Sequence, residues 1–351
     1  MQKTTTAYKM LNGSLPIVFD AYIGQGAFDA FVEGSKLPAV VYFHGGGLVC
    51  GNRESFFPTW LLERVLGLGF VFLSADHQLM PAATGHDIVQ DMKDLFSFIK
   101  EKEISGLGKC IRVDADKIVV AGSSAGGLLA FLAGIHCTPR PKAVISCFGM
   151  GGDMLIPAYF TPKTKPFFMS RPLQDPGSFL DFTYPFQQER PGPISDSPIG
   201  FNPPNHERPG APSTRRQMVV SMYLQLGTWL DYYTGAHDPS LSQNLLHAAQ
   251  SEAGLKKLRD YIPAEHRPLF PQLNVDSSFP PTFMIHGNKD TAVLIDESCN
   301  LKTSLEKAGV PVKLIEVEGQ EHFFDIMPGS AEKYKKEFEQ VKAFLVQILN
   351  A

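Results

Sequence analysis

The fold turns on residues 117–135, "KIVVAGSSAGGLLAFLAGI". Ile118 to Ala121 form an apolar run that reads as a buried strand. From Ala125 onward an Ala- and Leu-rich run reads as a helix. Between them Gly122-Ser123-Ser124-Ala125-Gly126 fits G-x-S-x-G, in which a serine sits on a sharp turn from strand to helix. The residues two before and two after must be small, so that the turn closes without Cβ clashes. Ser124 is thereby pushed out above the sheet. Ala125 opens the helix, where unpaired N–H groups and the helix dipole favour negative charge.

Outward from this turn, strands and helices alternate. "PAVVYFHGGG" (38–47) and "GFVFLSAD" (69–76) read as buried strands, with helical stretches at 55–67 and about 87–102. "KAVISCFG" (142–149) is a further strand. After a long gap come "PTFMIHGNKD" (281–290), a helix in "DESCNLKTSLEKAG" (296–309), "VKLIEVEG" (312–319) and a final helix over about 331–349. "KTTTAYKM" (3–10) and "PIVFDAYI" (16–23) alternate as antiparallel strands do. The pattern predicts an α/β fold: a mostly parallel central sheet flanked by helices, with ligands beyond the carboxyl ends of the strands.

Between 151 and 279 the alternation stops, and 17 of the 27 prolines fall there. "ERPGPISDSPIGFNPPNHERPGAP" (189–212) has the composition of a linker. Yet Phe160, Phe167, Phe168, Phe182, Phe186 and Phe201 are too many aromatics for a solvated tether. Val219, Met222, Tyr223, Leu226, Leu230 and Tyr233 lie at helical spacing and predict one helix from Thr214 to Tyr233. We expect a core of 1–150 and 280–351 and an inserted cap of 151–279 over the strand ends.

A serine hydroxyl needs a base to take its proton, and the base needs an orienting carboxylate. His322, in "QEHFF", and Asp290, in "HGNKD", each follow a strand. The chain order Ser124, Asp290, His322 is the one this fold uses. His286 is the rival base, and Asp296 and Glu297 are rival orienters. In "YFHGGGLVCGN" (42–52), Gly45-Gly46-Gly47 follow a strand end and offer bare amides. With the amide of Ala125 they would form an oxyanion hole, Gly46 and Gly47 being favoured, while His44 braces the loop.

Composition sets limits. The net charge of -4 gives no reason to expect nucleic acid or an anionic membrane surface, and no run approaches a membrane span. The start "MQKTTTAYKM" lacks an apolar leader segment. Five scattered cysteines show no metal spacing and read as free thiols in a reducing, cytoplasmic compartment. The expected partner is a small-molecule ester, and a homodimer is left open.

Together HGGG, GSSAGG, "HGNKDTAVLIDES" and "EGQEHFF" resemble the hormone-sensitive-lipase-like esterase branch of the α/β-hydrolases. "HRPLFPQL" ahead of "FPPTFMIHG" resembles fungal members. The resemblance spans about 38–150 and 280–350 and implies ester hydrolysis with no metal or organic cofactor. The chain departs from the family in two places. Ser123 stands where an Asp is frequent. "ADHQLMPA" stands for "DYRLAPE", with His77, Gln78 and Ala82 replacing Tyr, Arg and Glu. The departures suggest a dedicated enzyme for one specialised metabolite, such as a polyketide. Lactonase, thioesterase, amidase or acyltransferase action would use the same nucleophile. A non-enzymatic receptor on a hydrolase fold is a third reading.

Overall fold

The computed structural model describes residues 1–186, 192–200, 214–251 and 254–349. Two strands, β1 (Gln2–Leu11) and β2 (Leu15–Ile23), form an antiparallel hairpin. Asn12 and Gly13 turn it, both at positive φ, as a tight hairpin requires. After α1 (Gln25–Ala30) the alternation begins: β3 (Lys36–Phe43), α2 (Thr59–Gly67), β4 (Val71–Ala75), α3 (Gly85–Glu101), β5 (Arg112–Ser123), α4 (Ala125–His136) and β6 (Ala143–Cys147). The insertion contributes α5 (Val219–Leu226), α6 (Trp229–Thr234) and α7 (Leu241–Gln250). The chain then returns with β7 (Thr282–Gly287), α8 (Ile295–Lys307), β8 (Val312–Val317), α9 (Ser330–Lys333) and α10 (Lys335–Leu349).

The eight strands form one sheet in the order β1-β2-β4-β3-β5-β6-β7-β8. β2 pairs antiparallel with β1 and β4, and the remaining pairs are parallel. This is the mostly parallel sheet expected. Strand residues alternate between two apolar layers. Ala39, Val41 and Phe43 face the helices α3 and α4, while Val40 and Tyr42 face α2 and α10. Burial on both faces explains why β3, β4 and β5 read as continuous apolar runs. Among the described residues no helix is long and apolar enough to cross a membrane.

The insertion does not build a separate core. Phe160, Met222, Tyr223, Trp229 and Tyr233 are buried in the same cluster as α3 and α4. The single helix expected over 214–233 is broken. Arg215–Met218 is a 3-10 turn, α5 follows, and α6 starts at Trp229. Gly227 makes the break at φ 69°. A Cβ there would lie 2.8–2.9 Å from the backbone of Phe160, Thr161 and Pro162. The apolar spacing is real, but this close approach turns the chain between its two halves. Of the aromatics named between 151 and 279, Phe201 lies outside the described residues, as do 189–191 and 202–212 of the proline-rich stretch. The expected last helix likewise has a break, at Tyr334.

Candidate active site

Ser124 caps α4 with φ 52° and ψ -124°, a conformation that L-residues avoid. The glycines around it explain how the turn closes. A Cβ on Gly122 would lie 2.0 Å from the Gly126 carbonyl oxygen, and one on Gly126 would lie 1.9 Å from that of Phe43. Both distances are impossible for real side chains, so small residues are obligatory. The Ser124 amide donates to the Cys147 carbonyl (3.0 Å), which ties the turn to the end of β6. Ser123 is buried, with its Oγ 2.8 Å from the Tyr42 hydroxyl.

Two loops on neighbouring strands deliver the other partners. The Ser124 hydroxyl lies 3.0 Å from His322 Nε2, and His322 Nδ1 donates to Asp290 Oδ2 at 2.6 Å. Asp290 Oδ1 accepts the amides of Ala292 and Val293, both at 2.9 Å, which locks the carboxylate in place. Burial pushes the Asp290 carboxyl up. The charge of His322 and the hydrogen bonds from His286 and His322 outweigh it and hold the group well below the usual carboxylate range. Glu321 accepts the amides of Thr291 and His322, joining the acid and histidine loops. Phe148 and Phe323 meet the His322 ring edge to face.

The rivals are placed elsewhere. His286 points behind Asp290, bonded to Ser298 Oγ and the Val293 carbonyl, and does not reach Ser124. Asp296 is exposed on α8. Glu297 is buried against the Tyr159 hydroxyl and the Gly151 amide.

Gly46 and Gly47 border the cavity beside Ser124, with φ 117° and 63°. Their backbones must be bare: a Cβ on Gly46 would lie 2.1 Å from the Cys50 carbonyl oxygen, and one on Gly47 would lie 2.3 Å from Val220 of α5. The amides of Gly46, Gly47 and Ala125 make no hydrogen bond to the described residues. Gly45 abuts Ser124 and Ser123 and accepts His44 Nδ1–H at 2.7 Å, so His44 braces the loop. Burial lowers His44 to about 4, which keeps the ring neutral. It stacks on His77, at 4.6 Å between centroids.

Several supports were not legible in the sequence. Arg53 binds Asp20 and Asp76 at 3.0 and 2.8 Å, pinning the glycine loop to β2 and β4. Arg216, from the insertion, donates to the Val49 and Met80 carbonyls at 2.6 and 2.5 Å. Nothing in their spacing announces these contacts. Gln78 and Lys9 hold the buried Asp91, a network in the region where "ADHQLMPA" departs from its family. The cavity offers about 120 Å³ of room, walled by Phe56, Met150, Phe168, Met218, Val293 and Phe323 among others. No group of three or more His, Cys, Asp or Glu side chains that could hold a metal occurs among the described residues.

The BD-FAE family matches residues 30–141, and the prolyl oligopeptidase family matches residues 229–351. The non-reducing polyketide synthase ausA of Emericella nidulans is 26% identical over 349 residues, covering 93% of this chain and 13% of the synthase. A "Probable carboxylesterase M8" from a Phoma species is 30% identical over 118 residues, covering 32% of this chain and 37% of that protein. This chain thus spans about an eighth of the length of the synthases it matches. Among solved structures, a thermophilic esterase of Thermogutta terrifontis with bound propionate superposes with a TM-score of 0.58. It is 18% identical and covers 99% of this chain and 94% of that one. A Staphylococcus aureus protein of unknown function superposes at 0.64, with 16% identity and 99% and 100% coverage. Sheet order, the strand-to-helix turn at Ser124 and these likenesses give the chain an α/β-hydrolase fold.

Proposed function

We propose that the protein is a serine hydrolase that cleaves a carboxylic ester through an acyl-enzyme. The observation that carries this reading is the continuous chain Ser124–His322–Asp290, at 3.0 and 2.6 Å, opening on an apolar cavity. Ser124 Oγ attacks the ester carbonyl while His322 Nε2 takes its proton. Asp290 holds the imidazole with Nδ1–H inward and stabilises the imidazolium. The oxyanion would be received by the amides of Gly46, Gly47 and Ala125. His322 then returns the proton to the leaving alcohol. Water, deprotonated by the same nitrogen, attacks the acyl-enzyme, and His322 returns that proton to Ser124 Oγ as the acyl–Oγ bond breaks and the acid is released. Residues 151–279 act as a cap, since Phe168, Met218, Val220 and Leu224 line the cavity from that side. The similar Thermogutta esterase has been captured with propionate and phosphonylated by sarin, which supports the same chemistry here. Five cysteines without a disulfide partner fit a reducing, cytoplasmic setting.

A second reading is favoured by one finding. The match to polyketide synthases runs along 84–99% of this chain in several of them, so the acyl group could reach Ser124 from a thioester of a specialised metabolite. Wild-type and Ser124→Ala proteins should be assayed on p-nitrophenyl butyrate and on an acyl N-acetylcysteamine thioester. Release from either that disappears in the variant supports the proposal. No release from any ester or thioester overturns it.

A further inference from the structure

Among the described residues, the cavity holds one fixed positive charge and no acid to balance it. Arg171 borders the same cavity as Ser124 and His322, and no Asp or Glu does so among the described residues. Its guanidinium lies 5.8 Å from the Phe168 ring, and Nη1 lies 3.5 Å from Met218 Sδ. Both of those side chains also line the cavity. A thioether is a weak acceptor, and an aromatic face neutralises no charge. No ion pair is formed by Arg171 among the described residues. Arg216, close by on the same side, is likewise without a carboxylate there, but its donors are consumed by the Val49 and Met80 carbonyls. Among the described residues Arg171 has no such use for its N–H donors beyond the contact with Met218 Sδ.

The backbone goes to some length to place this side chain. Phe168, Met169 and Ser170 lie consecutively at φ 48°, 61° and 58°. Three successive non-glycine residues in the left-handed region form a turn that the chain would not adopt unaided. It is clamped at its base by paired backbone bonds between Phe167 and Arg171, at 3.3 and 2.9 Å. It is clamped at its tip by the Met169 amide donating to Thr291 Oγ1 at 2.8 Å. Thr291 in turn donates to Glu321, between the loops that carry Asp290 and His322. Strain of this kind is concentrated at ligand clamps. The turn therefore fixes the backbone of Arg171 at the wall of the cavity that Ser124 also borders.

We infer that the substrate carries a carboxylate, received by Arg171 while its ester lies at Ser124. The inference rests on the hydrolase reading above and deepens it: the substrate is an anionic ester with an otherwise apolar body. A guanidinium fork matches a carboxylate with two parallel hydrogen bonds, and apolar walls strengthen the attraction. The overall charge of -4 would repel such a substrate weakly, so recognition is local.

The experiment places the charge on either side of the scissile bond. On the acyl side, the p-nitrophenyl monoester of adipic acid is compared with its methyl-capped diester. On the alcohol side, 4-acetoxybenzoate is compared with its methyl ester. For wild type, kcat/KM should favour the charged member of at least one pair by about tenfold or more, the scale of a charge-assisted hydrogen bond. In Arg171→Gln the charged-to-neutral ratio should fall about tenfold, whatever the absolute rates, and Arg171→Lys should keep part of it. Absence of a preference in wild type, or a preference undiminished in Arg171→Gln, overturns the inference. Fluorophosphonate labelling of Ser124 separates the two readings. A labelled enzyme that hydrolyses the neutral esters without charge preference sinks this inference alone. An unlabelled, inert one sinks the hydrolase reading.

Discussion

At Ser124 the backbone holds a conformation that costs on the order of 1–3 kcal/mol, and the glycines on each side allow it. Ser124→Ala should abolish ester turnover while leaving the thermal melt near wild type, since one hydroxyl is removed and no cavity is made. A fluorophosphonate should modify the Ser124 peptide and spare Ser123, which is buried against Tyr42; labelling found on Ser123 would contradict this. Asp290→Asn leaves the shape intact but disturbs the hydrogen bond that holds Nδ1–H inward, so kcat should drop by about 10⁴-fold. His322→Ala should be at least as damaging, while His286→Ala, which removes only a brace behind Asp290, should retain clear turnover. Steady-state assays of the three variants decide the order, and an active His322→Ala would refute the assignment. Asp290 also bears on stability. Its folded pKa is depressed, so the stabilisation is present above the unfolded value of about 3.9 and is lost as pH falls toward the folded one.

Glu297 ties α8 to the start of the insertion through Gly151 and Tyr159. Burial pushes its carboxyl from 4.5 up to about 8, against the hydrogen bonds that Tyr159 and Gly151 donate to it. Between those values the folded protein keeps a proton that the unfolded chain has released. Stability should therefore fall as pH rises through this window, by on the order of a few kcal/mol. Glu297→Gln removes the titration. Relative to wild type, its melting temperature should be several degrees better at about pH 8.5 than at about pH 5. Parallel pH profiles for the two proteins would show that Glu297 ionises near its ordinary value. The junction of α5 and α6 makes a second test at this scale. Gly227→Ala places a Cβ within 2.9 Å of three backbone atoms at a positive φ, and should cost on the order of 2 kcal/mol or more in a urea melt. The same change at Gly13, which has nothing within 4 Å, should cost less, only the strain of its φ.

On the scale of the whole molecule, the insertion shares its core with the α3–α4 face of the sheet and also walls the cavity. Phe160, Met222, Tyr223 and Trp229 of the insertion are fully buried core. Phe168 and Met218 border the cavity. A cap so rooted should form a shaped, closed-ended pocket. Over p-nitrophenyl esters from acetyl upward, kcat/KM should rise by about fourfold per methylene at most, corresponding to about 0.8 kcal/mol each. It should peak at short or medium chains, given about 120 Å³ of room, and fall toward palmitoyl. Growth through palmitoyl with activation at an emulsion surface would mean that the cap opens onto lipid.

Sequence alone determined the sheet and the small-residue turn at Ser124, and singled out Asp290 and His322, over rivals, as the residues that the structure brings to it. These are written in local patterns: apolar runs of strand length, small residues where a turn must close, and polar groups just past strand ends. These three residues are far apart in the chain, yet parallel strands β5, β7 and β8 carry them to one edge by topology, so their positions followed from element order. What only the tertiary structure decided depends on contacts between segments with no shared periodicity. The break at Gly227 comes from the backbone of 160–162 pressing on it. The bracing of the glycine loop by Arg53 and Arg216, the burial of Glu297 and the aiming of Arg171 by a left-handed turn are of the same kind. A charged side chain reads the same in sequence whether it faces water, a carbonyl or an empty cavity. Only packing tells these apart.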